Sequence, residues 1–125
     1  MNANNEPVVA VLGASHKPER YSNRAVRLLK QHHFRVIPIH PVQKEIEGIP
    51  VIHSLKKIDL PVNTLTVYVG PERMKDMIDD IITLNPGRVI LNPGTESEPL
   101  KIALNENKIP FLEACTLVML QSGQF

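Results

Sequence analysis

The sequence predicts a single α/β domain of the Rossmann-like type, in which a parallel sheet of about five strands carries helices on both faces. Its 125 residues are the length of one ordinary domain, and a composition of 42% hydrophobic and 22% charged residues is typical of globular proteins. Short apolar runs alternate with stretches of helical periodicity, which implies right-handed βαβ units. We expect one domain over residues 1–125, with the least order at residues 1–6 and 122–125.

Five apolar runs are predicted as strands. The first is continuous and ends at Gly13, as in a strand that is buried on both faces. Pro38 cannot donate a hydrogen bond to a neighbouring strand, so we expect it near the end of the second strand. A short sixth strand at residues 50–52 is left open. The five runs are residues 8–12, 35–40, 64–69, 88–91 and 109–112.

The clearest helix is predicted between the third and fourth strands. Its apolar side chains recur at i, i+3, i+4, i+7 and i+8, so they share one face, which we assign to the core. Pro71 favours the first turn, and the Asn-Pro-Gly sequence at residues 85–87 ends the segment. The apolar positions are Met74, Met77, Ile78, Ile81 and Ile82.

Three further helices have shorter apolar patterns. The first follows the first strand, and Ser22 or Asn23 is its predicted N-cap. Another is entered through residues 95–98, where Thr95 and Glu98 have capping-box spacing. A last short helix is predicted over residues 116–121. The apolar positions of the first two are Ala25, Val26, Leu28 and Leu29, then Leu100, Ala103 and Leu104.

Charge and hydropathy exclude several classes of protein. The net charge is +1, from 14 basic and 13 acidic residues, so nothing global draws the chain to nucleic acid or to a membrane. The apolar runs are far shorter than the roughly 20 residues that span a bilayer. The polar residues 1–6 have no basic segment that would begin a signal peptide. Because Cys115 is the only cysteine, no intrachain disulfide can form, and we expect a cytoplasmic protein.

The loop after the first strand is the first candidate site. In such sheets the ligand crevice lies beyond the carboxyl ends of the strands, where the strand order reverses. Backbone amides after Gly13 and the following helix N-terminus would bind phosphate oxygens. One glycine and roughly eight residues before the helix do not make a G-x-G-x-x-G motif, and the alternative is that the loop merely ends a strand. The candidates are Gly13, Ala14, Ser15, His16, Lys17, Arg20 and Ser22.

The tip of the second strand is the second candidate site. NAD-binding domains place Asp or Glu there, whereas this chain has no carboxylate until Glu45. His40 and Lys44 suit an additional ribose phosphate better than a free diol. The tip therefore disfavours NAD and leaves NADP or a 3′-phosphorylated adenosine such as coenzyme A. That His40 is an ordinary loop residue remains the alternative.

Short segments in a consistent order resemble the CoA-binding domain family, which is similar to the N-terminal domain of the succinyl-CoA synthetase alpha subunit. They are residues 11–15 with Pro18 and Arg20, 36–41, 48–51, 69–71, 92–96 and Cys115. The resemblance implies a standalone Rossmann-like fold that binds coenzyme A and places phosphate at residues 13–20. It implies further contacts from His40, Pro41 and Val42 to the adenosine end, from Val69, Gly70 and Pro71 in the same crevice, and from Asn92, Gly94 and Thr95 on the next strand.

Three positions depart from the family pattern. His40 stands where many members have Asn before Pro41, and His33 stands where many have a glycine that ends the first helix. The loop at residues 92–94 replaces a variant that contains Gln in many members. These departures bear on affinity at the adenine side more than on the fold.

Nothing in the sequence has the spacing of a catalytic triad or of a metal site, so we expect neither. In the larger synthetases that the family resembles, the phosphorylated histidine lies outside this domain. Cys115 either is a structural cysteine or faces the crevice, where it could form a mixed disulfide with coenzyme A. Glu113 would raise the pKa of its thiol if the two side chains were close.

The leading hypothesis is a cytoplasmic protein that binds coenzyme A or acyl-CoA without a complete catalytic apparatus. One alternative is an enzyme that depends on NADP or another nucleotide. The other is a regulatory interaction domain that has lost the ligand. A helix face or a sheet edge could also make a homodimer, and the sequence leaves this open.

Overall fold

The computed structural model describes residues 6–125. Within them, five parallel strands form one sheet and helices pack on both faces, which confirms the predicted fold class. The strands are β1 (Val8–Leu12), β2 (Arg35–Ile39), β3 (Glu45–Ile46), β4 (Ile49–Pro50), β5 (Thr64–Val67), β6 (Arg88–Leu91) and β7 (Phe111–Glu113). The helices are α1 (Tyr21–Gln31), α2 (Pro71–Met74), α3 (Ile78–Leu84), α4 (Glu98–Glu106) and α5 (Thr116–Gln121).

The two faces of the sheet carry separate apolar cores. Every residue of β1 is buried, and its side chains alternate between the two cores, as strand geometry requires. Val8, Ala10 and Leu12 pack on the side of α2, α3 and α4, whereas Val9 and Val11 pack on the side of α1 and α5. The continuous apolar run of β1 is thus explained by burial on both faces.

The strand order, β2-β1-β5-β6-β7, sets the position of the site. From β1 the chain passes to β2 on one side and returns to β5 on the other, so the order reverses between β1 and β5. The loops after these two strands leave the same edge of the sheet in opposite directions. A crevice opens at this switch point in open α/β sheets.

Strand β2 is an edge strand, and its end carries an element that periodicity does not predict. Pro38 is its penultimate residue, as expected of a residue that cannot donate to a ladder. Strands β3 and β4 form a small antiparallel hairpin, and Ile52 then makes a parallel bridge to Ile39. The segment at residues 50–52 therefore pairs with β2 at one residue only.

The helix predicted from Pro71 to residue 84 is two helices, α2 and α3. The amides of Asp76 and Met77 donate to the carbonyls of Arg73 and Met74, three residues back, at 3.4 and 2.8 Å. The backbone therefore tightens for one turn before α3 begins. The apolar stripe still faces the core, because Met74 and Ile81 are fully buried on either side of the break.

The predicted cap of α1 is wrong, whereas α4 is entered through residues 95–98 as predicted, with its cap at Ser97 rather than Thr95. The N-cap of α1 is Arg20, while Ser22 and Asn23 are buried in the first turn. The N-cap of α4 is Ser97, whose hydroxyl accepts a hydrogen bond from the Leu100 amide. Thr95 instead donates its hydroxyl to the Asn92 carbonyl, so it stabilises the preceding turn.

The end of α1 and the C-terminal residue pack close to each other. His33 follows α1 with φ 66°, the left-handed conformation that favours glycine. The Phe125 ring packs edge-on against Phe34, with centroids 5.1 Å apart. Residues 1–5 lie outside the described residues, and the expectation of low order at 122–125 stays a prediction. Among residues 6–125, no helix is long and apolar enough to cross a membrane.

Candidate functional site

A cleft of about 540 Å³ lies at the switch point, beyond the carboxyl ends of β1 and β2. Its floor is apolar and its rim carries a few polar groups, which is the usual character of a small-molecule site. The loop after β1, the residues that follow β2 and helix α2 form its walls. The lining residues are Leu12, Gly13, Ala14, Ser15, Ile39, His40, Pro41, His53, Ser54, Leu55, Val69, Arg73, Met77 and Asp80.

Gly13 allows the two loops of the switch point to approach each other closely. It has φ 85°, and a Cβ at this position would lie 2.8 Å from the Val69 Cγ1 atom and 3.1 Å from the backbone of Tyr68. The Ala14 amide donates to the Ile39 carbonyl at 3.1 Å, which also ties the loop to β2. Contacts within the protein therefore already require glycine here.

Two residues of α1 hold the loop after Gly13 through side-chain hydrogen bonds. The fully buried Asn23 donates its side-chain amide to the Ser15 carbonyl at 2.9 Å and to the Glu47 carboxylate at 3.1 Å. Arg27 donates to the Asn23 side-chain oxygen and to the Pro18 carbonyl, both at 2.8 Å. Sequence reasoning treated Asn23 only as a cap, although its i, i+4 spacing from Arg27 is a signal for such a pair.

The β2 tip (residues 40–44) has a conformation that depends on two histidines. The His40 Nδ1 atom accepts hydrogen bonds from the amides of Val42 and Gln43, both at 3.0 Å. His53 Nε2 lies 3.0 Å from the Gln43 carbonyl and donates to it. Burial lowers the pKa of His40, and the charges of His16, Arg73 and His53 lower it further.

Comparison with known proteins identifies the family. The profile described as "CoA binding domain" matches residues 7–121, nearly the whole chain. The chain belongs to the CoA binding domain family. The crystal structure of an uncharacterized protein is 36% identical, with a TM-score of 0.89 over 98% of this chain and 100% of that one.

Two further proteins are similar to this CoA binding domain over part of their length. Uncharacterized protein YneT of Bacillus subtilis (strain 168) is 27% identical over 74 residues, which are 59% of this chain and only 55% of that protein. Dinucleotide-forming acetyl-coenzyme A synthetase 1 of Ca. Korarchaeum cryptofilum, solved with phosphate and ADP, has a TM-score of 0.76 at 19% identity. The match covers 88% of this chain and 26% of the synthetase, and it is a likeness of fold.

The cleft of the CoA binding domain brings some of the predicted residues together and leaves others apart. Lining it are Gly13, Ala14, Ser15, His40, Pro41 and Val69. The exposed residues outside the lining are His16, Lys17, Arg20, Val42, Lys44 and Pro71, and the half-buried Gly70 is the N-cap of α2. The hydroxyl-bearing Ser22 is buried in α1.

Sequence reasoning missed His53 and Ser54 as lining residues. They follow Ile52, whose bridge to Ile39 sets His53 beside the β2 tip. The signal was the short apolar run at residues 50–52, because a parallel pairing of this run with β2 carries His53 to the tip. Arg73, on α2, is the exposed cation that reaches the lining.

The remaining predicted residues, Asn92, Gly94 and Thr95, lie outside the lining of the cleft, and a second pocket of about 440 Å³ is lined in part by Tyr68. Asn92 lines it but directs its side chain inward, where the amide donates to the Thr66 hydroxyl at 2.8 Å and the Val67 carbonyl at 2.9 Å. Its oxygen accepts from the Thr116 amide at 2.8 Å. The buried Thr95 is bonded to the Asn92 carbonyl, and Gly94 is exposed.

Cys115 also faces this second pocket, from the N-cap position of α5. It is half-buried, and Tyr21, Arg24 and Pro93 line the same pocket. The Glu113 carboxylate forms an ion pair with Lys101, which raises the pKa of that lysine together with Glu98. Within residues 6–125, no three His, Cys, Asp or Glu side chains are grouped as metal ligands.

Proposed function

We propose that this domain binds coenzyme A, free or acylated, with the adenosine end in the cleft of the switch point. Membership of the CoA binding domain family supports the choice of cofactor. The observation that carries the proposal is the cleft itself, because His40, His53 and Arg73 line it and residues 40–44 carry no carboxylate. A domain that binds NAD holds the ribose diol with Asp or Glu at this tip.

The diphosphate would lie against the loop after β1. The first amides of α1 have no partner within the helix, and no side chain of the described residues caps them. Lys17 and Arg20 are exposed in the same loop. Backbone amides at a helix N-terminus with adjacent cations bind phosphate oxygens. We assign these contacts to Gly13, Ala14, Ser15, His16, Lys17 and Arg20.

The phosphorylated adenosine would lie at the β2 tip. Pro41 offers an apolar surface there, and the exposed Lys44 and Arg73 offer positive charge to a ribose phosphate. The loop after β5 would cover the other side. We assign this end of the ligand to His40, Pro41, Val42 and Lys44, with Val69, Gly70 and Pro71 opposite.

We propose that the domain binds without carrying out a reaction with its own groups. Both histidines of the cleft are engaged with the backbone of the β2 tip, His40 as acceptor and His53 as donor. A general base needs instead to reach a nucleophile or substrate proton. A lone cysteine fits action in a reducing cytoplasm.

The first test is Arg20→Ala, measured by titration calorimetry with coenzyme A. Loss of a charge-assisted phosphate contact should weaken binding by about 1–3 kcal/mol. The control is Arg35→Ala, since Arg35 is an exposed arginine at the opposite end of β2. Equal affinities of both variants and the wild-type protein would remove Arg20 from the site.

A melting screen separates this function from its alternatives. Coenzyme A should raise the melting temperature more than NAD, NADP or ATP at matched concentration, because only a ligand that binds the folded state stabilises it. A larger effect of NADP would favour a nucleotide-dependent enzyme. Constant melting temperature across the panel would contradict ligand binding and favour an interaction domain.

A further inference from the structure

The backbone of the β2 tip is organised around one imidazole nitrogen. The His40 Nδ1 atom accepts the amides two and three residues ahead, each at 3.0 Å. This pattern is the one that an Asn or Asp side-chain oxygen makes in an Asx-turn. An amide oxygen accepts at every physiological pH, whereas an imidazole nitrogen accepts only while it carries no proton.

We infer that His40 is a positioning residue whose unprotonated Nδ1 holds the β2 tip in its ligand-binding conformation, so that protonation of this one nitrogen releases the tip and weakens binding. The inference rests on the proposed function, because the adenosine end is assigned to this tip. It adds a pH dependence of the affinity for coenzyme A, which arises because a titratable residue occupies the position of an Asx-turn side chain.

The two amides fix the tautomer of the ring. A nitrogen that accepts two N–H groups cannot carry a proton, so the neutral ring is protonated at Nε2. His40 therefore presents a donor from its second nitrogen, and the cleft is the space that its ring lines. A ribose hydroxyl or a phosphate oxygen is the type of group that accepts such a hydrogen bond.

Charged and titratable groups surround His40 from each element of the cleft. His16 belongs to the loop after β1, His53 to the segment after Ile52, and Arg73 to α2. Asp80, on α3, is the carboxylate that lines the cleft. Burial is the largest cause that disfavours a positive charge on the ring, and the three basic groups add to it. Together they lower the pKa of His40 from its ordinary value.

The direction of the pH effect follows from this lowered pKa. The ordered tip has its full stability above the ordinary histidine pKa, about 6.5. It loses stability as the pH falls from there toward the lower pKa that His40 has in the folded chain. Protonation of Nδ1 turns one acceptor into a third donor that faces the amides of Val42 and Gln43. A phosphate would attract the cationic ring, but the cleft is open to water, which screens that attraction.

The test compares His40→Asn with the wild-type protein in titrations with coenzyme A from about pH 8 to about pH 5.5. Because the pKa of His40 lies below its ordinary value, the wild-type affinity should fall several-fold but by less than about tenfold. The asparagine variant, which keeps an acceptor for both amides, should change less. Both proteins meet the same ionisation of the ligand's phosphate, so the difference between them isolates His40. Parallel pH profiles, or an affinity that rises in acid for the wild-type protein alone, would overturn the inference.

A measurement without ligand keeps the inference separate from the proposed function. Nitrogen NMR of the free protein should show that neutral His40 carries its proton on Nε2 at neutral pH. The protection of the Val42 and Gln43 amides, measured relative to their intrinsic exchange rates at each pH, should fall as His40 is protonated. If coenzyme A fails to bind at any pH while these signals change as expected, the proposed function fails and the switch in the tip stands. Amides that stay protected after His40 is protonated refute the switch, whatever binds.

Discussion

The two halves of the carboxyl edge of the sheet use similar polar residues in opposite ways. Near the ends of β5 and β6, the buried residues Asn92, Thr66 and Thr116 form hydrogen bonds to one another. Their polar groups are therefore not available to a ligand. Around the cleft at the switch point, side chains such as Asn23 and His40 hold the loops, and Arg73 stays exposed at the rim. We therefore call the first half the scaffold half and the second, to which we assign the ligand, the binding half.

The largest effect is expected from Gly13→Ala, because Gly13 is the point where the loop after β1 contacts the loop after β5. A methyl group must meet the Val69 side chain at 2.8 Å and the Tyr68 backbone at 3.1 Å, in a backbone conformation with φ 85°. We expect about 4 kcal/mol of destabilisation from strain and overpacking together, measured by urea unfolding.

Two other glycines separate the causes. Gly94→Ala has φ 89° but no atom of the described chain within 4 Å of the new methyl, so backbone strain alone should cost about 1–2 kcal/mol. Gly70→Ala has neither strain nor contact. If Gly13→Ala costs no more than Gly94→Ala, the close approach of the two loops is not what requires glycine.

The next test addresses the scaffold half through Asn92→Ala. The substitution removes three buried hydrogen bonds and takes away the side-chain oxygen that the Thr116 amide bonds to. We expect unfolding to become easier by about 3 kcal/mol, while the affinity for coenzyme A of the protein that remains folded changes little.

The matched control for this test is Asn105→Ala, because Asn105 is exposed on α4. Its effect on unfolding should stay within about 0.5 kcal/mol. A large loss of coenzyme A affinity in Asn92→Ala, without a loss of stability, would assign Asn92 to the ligand rather than to the scaffold.

Periodicity could predict the sheet but not the break between α2 and α3. The alternation of Val8 and Val9 between two cores is a property of the chain's own pattern. The tightened turn before α3 keeps the apolar stripe on the same face, so the pattern is the same with or without it. Hydrophobic periodicity cannot detect a change of backbone that leaves every side chain on the same face.

The site could be located from the sequence, yet the role of each side chain could not. The switch point follows from the strand order, and the structure has a cleft there beside Gly13 and His40; that this cleft binds a ligand stays a prediction. Asn92 and Thr95 have the same side-chain chemistry whether they bond to a ligand or to their own fold. His53 reaches the cleft through a single bridge, which depends on packing beyond its own segment.

The smallest expected effect concerns Tyr68, which lies between the two halves. Its hydroxyl is buried without a hydrogen-bond partner among residues 6–125, although Thr116 and Thr66 stand near it. Burial raises the pKa of Tyr68 to about 12, against a lowering by these two hydroxyls. Since an unpaired buried hydroxyl is costly, Tyr68→Phe should stabilise the protein by about 1 kcal/mol at neutral pH.

The pH dependence of the stability of Tyr68→Phe tests the burial of the Tyr68 hydroxyl independently. Because the folded pKa lies above the ordinary value of 10, the unfolded chain ionises first, and the wild-type protein loses stability as pH rises between about 10 and about 12. The phenylalanine variant lacks this loss, so its advantage in urea unfolding should grow over that range. Tyr21→Phe is the control, since Tyr21 is 67% exposed. A Tyr68→Phe variant that is less stable at neutral pH would mean that the hydroxyl bonds to Thr66 or Thr116, and that Tyr68 belongs to the scaffold half.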